Sequence, residues 1–113
     1  MNDQDVLPLA EISLHVHRGE EIINEAENFC LSDDCLCIIA STLDYVGDKI
    51  YGVIQRDISK LTKEGKLKSA SIIAKYNKKL KSFKDLDRFS KHDSEFFRER
   101  VLELVNSAHD ITN

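Results

Sequence analysis

A small all-α bundle of about four helices, two long and two shorter, packed around a central helix, is the fold this sequence predicts. Three observations predict it. Residues 32–62 carry the densest apolar content of the chain and hold a helical period for about thirty residues. Apolar residues recur at steps of three and four in every other long segment as well. One proline and four glycines among 113 residues leave too few turn signals for an all-β fold. The length suits one domain, 1–113, with helices expected over 8–30, 33–62, 67–82 and 94–109.

In the central segment Ser32 reads as an N-cap, and Asp33 and Asp34 place negative charge where the helix dipole favours it. Leu36, Ile39, Leu43, Val46, Ile50 and Val53 then form one stripe, the expected core or dimer seam. Ile54, Ile58 and Leu61 continue it after a one-residue slip. The first two turns are apolar almost all round, as at the centre of a bundle. Gly47 and Gly52 each cost about 1 kcal/mol of helix propensity, which a close approach of another helix would explain.

Segment 8–30 has two readings. As a helix it aligns Leu9, Ile12, Val16, Gly19, Ile23, Ala26 and Cys30, with Pro8 harmless in the first turn. As a strand it alternates Ile12, Leu14 and Val16 with Ser13, His15 and His17. Seven matches over twenty-two residues outweigh three over five, so the helix is preferred.

Lys63-Glu64-Gly65-Lys66 reads as a helix end, with Gly65 in a left-handed cap. The third helix then runs from about Leu67, with Ile72, Ile73, Tyr76, Leu80 and Phe83 on one arc. Residues 84–93 have no clean period and read as a connection. Asp93 or Ser94 caps the last helix, which turns Phe97, Val101, Leu104, Val105 and Ala108 inward, and the final residues are expected to fray.

Charge is unevenly spread. Residues 1–55 carry eleven Asp and Glu against Arg18 and Lys49, a net −9, while residues 56–113 are net +5. Residues 60–91 alone reach +8. Such a split suits an anionic partner for the second half, or attraction between halves or copies of the chain.

Cys30, Cys35 and Cys37, with His15 and His17 upstream, are the one soft-ligand cluster. Cys35 and Cys37 stand two apart on a helix, so their side chains diverge by about 200° and cannot share a metal. Packing as small hydrophobes is the simpler reading. An odd, crowded set of cysteines and an acidic N-terminal stretch without signal-peptide character place the chain in the cytoplasm. No apolar run reaches the ~18 residues of a membrane span.

There is no phosphate-binding glycine loop, nucleophile elbow or C-x-x-C, and no cofactor is implied. The expected function is therefore a non-enzymatic protein-interaction module, a small acidic regulator or inhibitor. It would form a homodimer through its apolar stripes and meet its partner with Glu20, Glu21, Asp44 and Asp48. One alternative is a nucleic-acid-associated regulator using Lys68, Lys75, Lys78 and Lys79. Another is a metal- or thiol-dependent protein using the three cysteines.

Overall fold

The computed structural model describes residues 3–29, 32–87 and 95–112. Among them are four helices, α1 (Asp3–Asn28), α2 (Asp33–Asp57), α3 (Lys63–Lys84) and α4 (Glu95–Thr112), and one 3-10 turn, Ile58–Lys60. No strand occurs among the described residues, and the strand reading of the first segment falls. Segment 88–93, the proposed Asp93 or Ser94 cap and Cys30 lie outside the described residues.

Each helix has two neighbours. Helix α1 packs on α2 and α3, and α4 packs on the same two, which leaves α1 opposite α4 and α2 opposite α3. Residue pairs fix the directions. Glu11 meets Arg56 at 2.7 Å, so α1 and α2 are antiparallel. Asp5 meets Thr62, Gly19 meets Tyr76 and Asn24 meets Lys79, so α1 and α3 are parallel neighbours. Leu67 lies beside Thr112 and Lys81 beside Val101, so α3 and α4 are antiparallel.

Consecutive helices thus alternate in direction, but α2 and α3 are diagonal. Their link, Ile58 to Thr62, has to cross one end of the bundle. It does so as a 3-10 turn followed by Leu61 in extended backbone (φ −75°, ψ 152°), with the Leu61 side chain buried.

The link is held by α1. The amide of Thr62 donates to Asp5 Oδ1 at 2.9 Å, and its hydroxyl donates to Asp5 Oδ2. The same hydroxyl accepts from the Gly65 amide at 3.2 Å, which makes Thr62 the N-cap of α3. Asp5 is 0% exposed. A carboxylate can stay ionised there because two donors and the positive end of α3 replace water. The Thr62 hydroxyl bond holds its pKa below the ordinary 3.8, against the upward push of burial and with help from the Thr62 amide.

This contact corrects three boundaries. Helix α1 starts at Asp3, not at residue 8, because Asp5 must reach Thr62. Pro8 therefore sits in the second turn, where it leaves the Gln4 carbonyl without its helical donor, and it is itself buried. Gly65 ends no helix: it lies in the first turn of α3, with no positive φ. Its hydrogen side chain is what the carboxylate needs, since a Cβ there would stand 2.6 Å from Asp5 Cγ. Helix α2 correspondingly stops at Asp57 rather than at residue 62.

The interior follows the stripes. Leu36, Leu43, Val46, Ile50 and Val53 are buried, and Ile39 is half-buried against them. Ser32 caps α2 as expected, accepting from the Cys35 amide at 3.3 Å. Ile12, Val16 and Ile23 meet this stripe from α1, and Phe97, Val101 and Leu104 from α4. Ile111 is also buried, so the last turn of α4 is packed rather than loose. Tyr76 packs against α1, its ring 2.6 Å from where a Gly19 Cβ would be.

The glycines of α2 behave differently. Added at Gly47, a Cβ would meet Arg100 Cβ at an ordinary 3.6 Å, while at Gly52 it would meet nothing within 4 Å. Among the described residues, no other helix comes within that distance of the Gly52 position. The first turns of α2 are not buried all round either: Cys35, Cys37 and Ile38 are exposed.

Two outcomes follow for stability. Gly52→Ala should stabilise by about 0.5–1 kcal/mol through helix propensity alone. Gly65→Ala should destabilise by about 1–3 kcal/mol through overpacking against Asp5, although both sites are helical. Urea unfolding of the two variants checks the opposite signs. For Asp5 the depressed folded-state pKa means that its stabilisation is present above 3.8 and is lost as pH falls through the lower folded value. Thermal melts should show Asp5→Asn less stable than wild type at pH 7, with the gap closing below pH 3.8.

Candidate functional site

The ring order of the helices separates the charges by layer. Helices α1 and α2 form one side of the bundle and carry net −6 and −3; on the other side α3 carries +7 and α4 carries −2. The imbalance seen along the sequence becomes a polarity across the molecule's short dimension. Helix-to-helix ion pairs sit at the seams: Arg56 bridges Glu11 and Asp57, and Arg100 bridges Asp48 and Glu103.

The sequence-predicted acidic residues are dispersed. Glu20 and Glu21 are on α1, with Glu21 2.8 Å from His17; Asp44 and Asp48 are on α2, with Asp48 drawn to Arg100.

The lysines divide as well. Lys68 pairs with Glu64 at 3.3 Å, and Lys79 donates to Asn24 of α1 at 2.6 Å. Lys78 turns the other way, into the α3/α4 seam. Only part of the expected phosphate-facing arc therefore points in one direction.

Among the described residues of the cysteine and histidine cluster, His15, His17, Cys35 and Cys37 form no common metal site. Cys35 and Cys37 are exposed free thiols rather than core residues, because the outer face of α2 has no neighbour there. His17 is engaged with Glu21, and half-burial, with Arg18 and Lys49 nearby, pushes the His15 pKa down. Among the described residues no three His, Cys, Asp or Glu side chains come within reach of one metal ion. The stripe from Leu36 to Val53 is covered by α1 and α4 of its own chain, so it offers no free face to a second copy.

What the chain does leave open is the seam between α3 and α4. Three recesses of about 320, 560 and 350 Å³ follow one another along it. The first and second share Leu67 and Thr112, and the second and third share Lys81, so they form one furrow. From Lys63 to Lys84 this spans roughly 30 Å of α3 at 1.5 Å per residue.

Its floor is apolar. Ala70, Ala74, Ala108 and Val105 line the middle recess, and Leu67, half exposed, stands at its mouth. Small side chains on the facing helices keep the seam from filling. Asn77 is buried in the wall, and its Oδ1 makes no hydrogen bond among the described residues.

The rim is basic. Lys63, Lys66, Lys78 and Lys81 line the furrow without an ion-pair partner among the described residues. Such a surface suits an amphipathic ligand with apolar anchors and negative flanks.

Sequence reasoning missed the furrow because the arc read on the third helix ran through Ile72, Ile73, Tyr76, Leu80 and Phe83 and left Ala70 and Ala74 out of account. The available signal was the pair of alanines at i and i+4, followed by lysines at 78 and 81. No helix among the described residues is long and apolar enough to cross a membrane. No protein-family model matches the chain, and no curated protein or solved structure shows significant similarity to it.

Proposed function

We propose that the chain is a non-catalytic protein-interaction module whose docking face is the α3/α4 furrow. It receives an acidic amphipathic helix of a partner protein. The observation that carries this reading is the length of the furrow, which matches about twenty residues of helix, together with Lys63, Lys66, Lys78 and Lys81 along its apolar floor, without ion-pair partners among the described residues. By holding a helix that the partner needs elsewhere, the module acts as a regulator or inhibitor.

The acidic surface is the weaker docking face. Its Asp48 already pairs with Arg100 and its Glu21 contacts His17, whereas Lys63, Lys66, Lys78 and Lys81 have no ion-pair partner among the described residues. Free exposed thiols at Cys35 and Cys37 support a reducing, cytoplasmic setting.

A labelled 20-residue peptide with leucines at helical i, i+3, i+7 spacing and glutamates between them tests the reading. Fluorescence anisotropy should show saturable binding that weakens with salt. Lys78→Glu with Lys81→Glu should reduce affinity at least tenfold, about 1.4 kcal/mol, with the far-ultraviolet circular dichroism unchanged. An affinity indifferent to the double variant would overturn it. So would duplex DNA displacing the peptide with a steep salt slope, which would return the lysines to the nucleic-acid alternative.

A further inference from the structure

The chain itself carries a surface of the kind the furrow accepts. On the outer face of α2, Ile38 and Tyr45 are 65% and 58% exposed, two of the largest apolar exposures in the molecule. They stand seven residues apart, hence on one face and about 10.5 Å apart along the axis. Thr42 and Ser41 lie between them. Asp34 and Asp48, the latter paired with Arg100, flank this ridge on a layer that is net −9, and the furrow lies between α3 and α4, together net +5. Lys49, 5.0 Å above the Tyr45 ring, is the one opposing charge on the ridge. Gly52 continues the same outer face and has nothing within 4 Å of its missing side chain.

We infer that a second copy of the chain occupies the furrow, seating Ile38 and Tyr45 of its α2 between α3 and α4 beside Lys78 and Lys81. This rests on the furrow being the docking face, as proposed above. It adds that self-association and partner binding compete for one surface.

Ridge and furrow lie on different sides of the bundle, because α2 and α3 are diagonal. The contact is therefore heterologous, one surface against a different one, and each copy keeps an unused ridge or furrow unless a ring closes. Opposite charges drive the contact, so it weakens as salt rises.

Heterologous pairing makes a distinctive prediction. Ile38→Glu with Tyr45→Glu removes the ridge, and Lys78→Glu with Lys81→Glu removes the furrow; all four sites are exposed, so folding persists and circular dichroism checks it. Light scattering at low salt should show wild-type mass rising with concentration above 12.9 kDa. Each double variant alone should stay monomeric. Their equimolar mixture should restore one ridge–furrow contact and double the mass, and no larger species should form.

A mixture that stays monomeric overturns the inference, as does either double variant that associates like wild type. A wild-type chain fixed at monomer mass that still binds the leucine–glutamate peptide overturns the inference alone and leaves the partner reading standing. Wild-type association that the peptide fails to disturb, because the peptide does not bind, supports the inference and removes the partner reading.

Discussion

A buried carboxylate meeting the start of a helix organises this molecule. Asp5 accepts from the amide and hydroxyl of Thr62, and the hydroxyl passes the interaction on to the Gly65 amide. Burying a carboxylate is costly unless donors replace its water, and here the amide and hydroxyl of Thr62 supply the donors and α3 the dipole. The crossing link between α2 and α3 is tied to the beginning of α1 as a result. Parallel packing of α1 on α3 then follows in register, with Tyr76 against Gly19 and Lys79 against Asn24.

That arrangement decides where charge and apolar surface end up. In a bundle whose consecutive helices were all neighbours, α2 (net −3) rather than α1 (net −6) would lie against α3 (net +7). Sending α2 to the diagonal instead pairs it with α4, which carries few net charges. The lysines of α3 are left facing solvent and a shallow, alanine-lined furrow. Arg56 and Arg100 do the local stitching across the α1/α2 and α2/α4 seams. These exposed pairs contribute little each, of order 0–1 kcal/mol, and the interior stripes hold the fold.

Much of the architecture was legible because helical period is a strong, local signal. The all-α class, the stripe from Leu36 to Val53, the Ser32 cap and the inward face of α1 can all be read from spacing alone. What was not legible depends on residues distant in sequence. Gly65 looks like a helix end until Asp5, sixty residues earlier, is placed against it. Pro8 suggests a helix start until the need to extend α1 to Asp5 is known. Gly52 suggested close helix packing that the chain does not make, and the cysteines suggested a core position on a face that turned out bare. The furrow was hidden for a related reason: alanine and a half-exposed leucine carry little periodic signal, and where α3 meets α4 depends on contacts distant in sequence.

The diagonal arrangement is therefore the claim on which the layers, the furrow and the docking readings all stand. Nuclear Overhauser spectra of the wild-type protein test it without any substitution. Parallel neighbours α1 and α3 predict cross-peaks from the Tyr76 ring to the Gly19 α-protons, those protons shifted by the ring current, and cross-peaks linking Asp5 to Thr62 and Gly65. Tyr76 showing contacts to α2 in place of α1, with no Gly19 cross-peak, would contradict the arrangement.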